Sequence, residues 1–244
     1  MNRTVKLFPA LGVALLLALS ACAHRPATDP ADPLESVNRG IFAFNLTTDK
    51  YVLKPVAKGY QWAVPGFART GIKNFFNNLS YPITVVNQYL QGKPGQGTAD
   101  LGRFLINTTV GLGGLIDVAA YWGLPAHQED FGQTFGRWGV GEGWYLMLPF
   151  LGATTNRDLV GRLVGTPLNP LFYADETELV WGLNILDAIQ VRAQFLGSSE
   201  LLLQQLDPYA FTRAAYLQRR WSAIHDGNPP AEQTAEEFEV FDDF

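Results

Sequence analysis

Between Phe104 and Ala174 only eight of 71 residues carry a charge: Asp117, Glu129, Asp130, Arg137, Glu142, Arg157, Asp158 and Arg162. Thirteen uncharged residues separate Arg103 from Asp117, and fourteen separate Glu142 from Arg157. Yet Gly, Pro, Asn or Thr interrupts each apolar run, so none approaches the roughly 20 residues that a membrane-crossing helix requires. Two explanations compete for such a stretch. It can fill a buried core, or it can form a surface that meets lipid instead of water. No window alternates polar and apolar residues long enough to build a sheet, so the chain is expected to be mainly α, a single compact helical domain.

Helical periodicity supports that expectation on both sides of the charge-poor stretch. Asp32 is placed to cap a helix, Pro33 suits its first position, and Glu35 could close a capping box. Leu34, Val37, Ile41 and Phe44 then mark an apolar face. From Pro65 a second helix is expected, with Ala68, Ile72, Phe75, Phe76 and Leu79 in register. Pro82 is expected to start a third, carrying Ile83, Val86 and Leu90 and ending at Gly92 and Pro94. Residues 179–196, a short segment up to Leu206, and a segment from Asp207-Pro208 to about Trp221 complete the helical set.

The N-terminus bears on compartment. Arg3 and Lys6 precede thirteen uncharged residues (7–19), and Ser20, Ala21 and Cys22 follow. A basic start, a short apolar stretch and a small-residue end are the pattern of a secretory signal peptide, here residues 1–21. Leu19-Ser20-Ala21-Cys22 resembles the bacterial lipobox, whose cysteine is acylated, and Cys22 is the chain's only cysteine. Residues 22–31 would then be a lipidated, Pro- and Ala-rich linker. Ala23, where an aspartate would signal retention, points by resemblance to sorted lipoproteins toward the outer membrane of a Gram-negative cell. A multiply acylated cysteine is a stable anchor, and the mature chain would face the periplasm.

Charge excludes one class of partner. Without residues 1–21 and the end at 226–244, the body balances 16 basic against 16 acidic residues. Residues 226–244 hold seven acids and no base, and read as a solvated acidic tail. Neither part has the basic footprint of nucleic-acid binding. A lone cysteine also removes disulfide frameworks and multi-cysteine metal sites.

Catalytic patterns are equally scarce. His24, His127 and His225 lack partners at metal-ligand spacing, and there is no His-Glu-x-x-His or Gly-x-Ser-x-Gly sequence. No metal site, cofactor or catalytic constellation is expected, and a lipid-hydrolysing enzyme is disfavoured. Gly132, Gly136, Gly139, Gly141 and Gly143 lie among aromatic rings, but no Lys-Ser/Thr follows and the spacing is not a dinucleotide fingerprint. Gly132 and Gly136, four apart, suit close helix approach, and the others suit turns.

Ordered segments resemble the MlaA (VacJ) family of outer-membrane lipoproteins. They include Asp32-Pro33-Leu34-Glu35, Phe42-Ala-Phe44-Asn45, Val86-Asn87 through Pro94, and Asp130-Phe131-Gly132-Gln-Thr134-Phe-Gly136. Trp138-Gly139-Val140-Gly141, Leu148-Pro149-Phe150, Arg157-Asp158, Arg192-Ala193 and Asp207-Pro208-Tyr209 extend the resemblance over about residues 32–221. Gly143-Trp144 departs from the Gly-Pro of many relatives, and the segment after Asn45 is shorter than in some.

The resemblance implies a ring-like helical body, residues 32–225, embedded in the inner leaflet of the outer membrane. A central amphipathic passage would admit phospholipids displaced to the outer leaflet. Implied partners are a trimeric porin and a soluble periplasmic lipid carrier, and no covalent chemistry is implied. Phe42, Phe44 and Asn45 would lie where the passage is controlled. A head group in transit needs polar walls, because charge in hydrocarbon costs several kcal/mol. The embedded charges Asp117, Arg137, Glu142, Arg157 and Asp158 are therefore candidates to line the passage. The alternative is a passive porin-associated lipoprotein with no conduit.

Overall fold

The computed structural model describes residues 32–197 and 199–230. Cys22, the expected signal peptide and linker, and the tail beyond Pro230 lie outside the described residues. Ten α-helices can be followed among the described residues: α1 (Glu35–Thr48), α2 (Lys54–Ala63), α3 (Gly66–Leu90), α4 (Pro94–Thr109), α5 (Val118–Tyr121), α6 (Phe131–Arg137), α7 (Asn156–Gly165), α8 (Thr177–Gln194), α9 (Ser199–Leu203) and α10 (Pro208–Ile224). A π-helical turn, Asp49–Leu53, joins α1 to α2 without a break. None of the described helices is long and apolar enough to cross a membrane.

Three local expectations are corrected. Asp32 does not cap α1, whose N-cap is Leu34 with no side-chain hydrogen bond. Asp32 is instead fully buried, accepting from Asn38 Nδ2 at 2.8 Å and from the Tyr209 hydroxyl. Glu35 turns outward to Arg39, at 2.7 Å. A tertiary partner for Asp32, Tyr209, and an i,i+4 partner for Glu35, Arg39, thus outcompete the cap.

Pro82 does not begin a helix; it lies inside α3. A proline there forfeits a backbone hydrogen bond, at about 3 kcal/mol. Around it Asn78, Tyr81, Thr84, Asn87 and Gln88 are all buried, and α3 packs along α4. The Asn78 amide donates to the Thr108 hydroxyl at 2.8 Å across that contact. Packing over 25 residues carries the helix through the defect.

A small antiparallel hairpin, β1 (Tyr145–Leu148) with β2 (Gly152–Thr155), stands where no strand was expected. Its register pairs Tyr145 with Thr155 and Leu148 with Gly152. Two strands alone are marginal, so the stability is borrowed from neighbours. Tyr145 and Met147 pack with Tyr209 of α10, against Ile41 and Phe42 of α1. The Asn38 carboxamide serves both strand groups that face it: Nδ2 donates to Tyr145 O at 3.0 Å, and Oδ1 accepts from Met147 N at 2.9 Å.

Where α6 crosses α7, Gly132 allows the close approach expected of it, whereas Gly136 faces Ile224 of α10, whose Cδ1 would lie 2.6 Å from a Cβ there. A Cβ on Gly161 would stand 2.4 Å from Gly132 N and 2.9 Å from Gly132 Cα, so only glycine permits the crossing.

The distribution of polarity is inverted relative to a water-soluble domain. Seventeen polar or charged residues are buried against ten hydrophobic ones, of which three are tyrosines, among the described residues. Thirty-five large apolar side chains are exposed, including five of the six tryptophans. Soluble proteins place Ile, Leu, Val and Phe inside and rarely bury Asp, Arg or Gln. The charge-poor stretch supplies much of the apolar surface: Leu105, Leu112, Tyr121, Trp138, Phe150 and Leu163 are all exposed. Of the two explanations for that stretch, an apolar exterior fits its placement and a buried core does not.

Candidate functional site

Buried polarity needs partners, and three networks supply them. In the first, Arg220 of α10 donates to both Asp130 oxygens at 2.6 and 2.8 Å and to Asp158 Oδ1 at 3.0 Å. Arg157 Nε donates to Asp158 Oδ1 at 3.1 Å, and the Tyr216 hydroxyl to Asp158 Oδ2 at 2.6 Å. Burial alone would raise the Asp130 carboxyl, but the Arg220 guanidinium overrides it and leaves the group at about 2. Asp130 also caps α6, and Thr155 caps α7 through Asp158 N.

The second network surrounds Arg103 of α4. It donates to both Asp117 oxygens at 2.7 and 2.8 Å and, through Nε, to the Tyr81 hydroxyl at 2.6 Å. Asn107 Nδ2 donates to Asp117 Oδ1 at 2.9 Å. Burial pushes the Asp117 carboxyl up, yet the Asn107 and Arg103 donors leave it below its ordinary value. In the third, Asp100, fully buried, accepts from Gln88 Nε2 at 3.3 Å and meets His127 Nδ1 at 3.1 Å. Among the described residues no group of three or more His, Cys, Asp and Glu side chains is placed to hold a metal ion.

Open space follows α3. One cleft of about 380 Å³ lies between α2, the start of α3 and the end of α8, lined by Arg69, Lys73, Gln190 and Gln194 among others. Two more lie farther along. The cleft of about 390 Å³ is bounded by Ile83, Asp130, Val180 and Asn184, and that of about 320 Å³ by Asn77, Ser80, Thr84 and Asp130. Arg69, Lys73, Asn77, Ser80 and Thr84 recur at spacings of three and four, which makes a polar stripe down one side of α3. Gln190 and Gln194, four apart at the end of α8, face the start of α3, and Asn184 borders the cleft farther along. The clefts therefore mix polar side chains with apolar ones such as Ile83, Phe131, Phe172 and Val180, and they open on a greasy outer surface.

The residues singled out from sequence fall in several places. Asn45 clamps the hairpin turn: Nδ2 donates to Leu148 O at 2.9 Å and Oδ1 accepts from Phe150 N at 2.9 Å. Phe44 meets Phe150 edge-on, with ring centroids 5.3 Å apart, and Phe42 meets Tyr209 at 5.7 Å. Asn45 also borders a further cleft of about 370 Å³ with Arg192 and Phe195. Arg157 and Asp158 are brought together with Asp130. Asp117 stands apart with Arg103, and Arg137 is exposed near Asp226, at 3.9 Å. Glu142 accepts the Arg157 backbone N–H through its carbonyl, at 3.2 Å. The α3 stripe is missed by the sequence reading, although the four-residue recurrence of Arg69, Lys73 and Asn77 is a readable signal.

Comparison with known proteins gives one answer at each level. Residues 30–223 match the family model described as MlaA lipoprotein. A relative from Escherichia coli (strain K12), named intermembrane phospholipid transport system lipoprotein MlaA, is 40% identical over 218 residues, covering 86% of this chain and 84% of the relative. The protein of that name from Haemophilus influenzae is 37% identical over 222 residues, covering 86% and 88%. A structure solved to explain maintenance of bacterial outer membrane lipid asymmetry superposes with a TM-score of 0.73 at 41% identity, over 79% of this chain and 98% of that one.

Proposed function

The chain belongs to the MlaA lipoprotein family, and from that premise we propose that it serves intermembrane phospholipid transport at the bacterial outer membrane, so maintaining lipid asymmetry. It takes phospholipids misplaced in the outer leaflet through an amphipathic passage and gives them to a soluble periplasmic carrier. The body sits in the inner leaflet beside a trimeric porin, tethered through acylated Cys22.

The observation that carries this reading is the inverted polarity. A shell of exposed Trp, Phe, Leu and Val matches acyl chains, whereas the polar side chains that border the clefts along α3 suit a head group. A lipid moving there keeps its tails in an apolar phase while its charge stays solvated by side chains. Asp130, Arg157, Asp158 and Arg220 form part of the polar frame around that route. Asp117 does so through Arg103, Arg137 near Asp226, and Glu142 beside Arg157. The Asn45 clamp on the Leu148–Phe150 turn is the point at which the passage is controlled, with Phe42 and Phe44 packed beside it. These clefts favour a conduit over a passive porin-associated lipoprotein. No step makes or breaks a covalent bond.

The test reconstitutes the mature acylated chain in liposomes with labelled phospholipid and an empty periplasmic lipid-binding acceptor. Transfer of label that depends on the protein is expected, and Cys22→Ser should weaken liposome association while the apolar shell retains part of it. A folded, membrane-bound protein that transfers no label would overturn the conduit.

A further inference from the structure

The cleft at the start of α3 differs from the others in charge. The clefts farther along contain Asp130 or Glu129, whereas no carboxylate lines this one. Arg69 and Lys73 lie four residues apart on α3, and neither forms an ion pair among the described residues. Like charges one helical turn apart repel, so the arrangement costs stability until an anion sits between them. Two buried donors on the wall, Arg69 Nε and the Tyr60 hydroxyl, have no hydrogen-bond partner. Burial pushes the Tyr60 hydroxyl up and the Arg69 charge opposes it, which ties the two groups together electrostatically. The Gln190 and Gln194 amides complete a polar wall opposite the cations. Among the described residues, Asp187 is bonded to this wall through Gln190 Nε2 at 2.9 Å, and Gln194 Nε2 donates to Gln190 Oε1 at 2.7 Å.

The flanking residues on α2 and α3 are of the opposite character. Trp62 and Phe67, each next in sequence to a residue of the wall, are 90% and 83% exposed. Free anions have no use for such rings, but acyl chains do.

We propose that Arg69 and Lys73, with Tyr60 and the two glutamine amides, bind the phosphodiester of a glycerophospholipid whose acyl chains lie along Trp62 and Phe67. The site rests on the phospholipid-transport reading and gives that route a capture point for the head group. Each charge-assisted contact adds affinity, and together the two cations are expected to contribute at least about tenfold.

The experiment uses the mature chain in detergent micelles and short-chain ligands, measured by calorimetry: dioctanoyl phosphatidylglycerol, dioctanoylglycerol and inorganic phosphate. Wild type should bind the phospholipid at least about tenfold more tightly than either other ligand. Lys73→Gln alone, and Arg69→Gln/Lys73→Gln together, should weaken phospholipid binding and leave dioctanoylglycerol unchanged; Lys58→Gln, on the outside of α2, should change neither. Lys73 is exposed, so the single variant folds even if the double does not. Equal phospholipid affinity in wild type and Lys73→Gln overturns the site. Inorganic phosphate binding as tightly as the phospholipid overturns the lipid assignment. If liposome transfer fails while cation-dependent binding persists, the transport reading falls and the site stands.

Discussion

Gly161→Ala probes the crossing of α6 and α7, on which the charged frame depends. The added methyl would lie 2.4 Å from Gly132 N, 2.9 Å from Gly132 Cα and 3.0 Å from the Phe131 carbonyl carbon. All three are backbone atoms, so no side chain can rotate away. Ordinary contact begins at 3.4 Å, and α6 must therefore recede by about 1 Å in an interior that tolerates little slack. That movement carries Asp130 away from Arg220, whose bonds to it now measure 2.6 and 2.8 Å. Overpacking of this kind costs about 1–3 kcal/mol, and the better helix propensity of alanine returns up to about 1 kcal/mol. The net loss should lower the melting temperature by about 2–8 °C. Gly182 provides the internal comparison, because it lies within α8 and nothing stands within 4 Å of its Cβ position. Gly182→Ala should instead gain about 0.5–1 kcal/mol and melt slightly higher. Far-UV circular dichroism melts of both variants and the wild type, in one detergent, decide the matter. If Gly161→Ala melts at or above wild type, the close crossing is not a stability determinant and the reasoning fails.

Other expectations follow from the same contacts. Asn38→Ala removes three hydrogen bonds, to Asp32, Tyr145 O and Met147 N, and should cost about 2–4 kcal/mol in a denaturant titration. Asn45→Ala frees the Phe150 N–H, so amide exchange at that position should accelerate by about tenfold or more while exchange in α3 stays the same. The Asp130 carboxyl titrates at about 2 in the fold against an ordinary 3.8, so the unfolded chain takes up its proton first as pH falls. Its contribution to stability is full above about pH 4 and gone below about pH 2. Because its side chain is 43% exposed, solvent screening limits that contribution to about 1 kcal/mol. Wild type should therefore lose about 1 kcal/mol more than Asp130→Asn between pH 5 and pH 2, and parallel losses would dismiss the Asp130–Arg220 pair as a source of acid sensitivity.

Elements set by local chemistry were legible in the chain. Asp207 accepts from the N–H groups of Tyr209 and Ala210 and starts α10 just before Pro208, as the cap-then-proline pattern predicts. The same reasoning failed at Asp32 and Glu35. The residue types there fit a cap equally well, but Asp32 is taken by Asn38 and the distant Tyr209, and Glu35 by Arg39 one helical turn on. Pro82 misled for a related reason: its local cost is real, and the facing surface of α4 outweighs it. The hairpin was unreadable because Tyr145–Leu148 is short and not alternating, and it is held by α1 and α10, over a hundred residues and some sixty residues away along the chain. In the candidate site, charged residues stood out because they are rare. The neutral amides and hydroxyls that wall the clefts passed as ordinary helix surface.

Read alone, the sequence determined that the body is helical, poor in charge and without a spanning segment, and that glycines space α6 for close approach. These properties depend on periodicity and composition, which act over a few neighbours. Which side of each helix faces inward was decided only by the tertiary structure. A periodic apolar face looks the same whether it meets a core or a bilayer. Only when Arg103 finds Asp117 and Arg220 finds Asp130 does burying the polar side become affordable, and the apolar side is left outward.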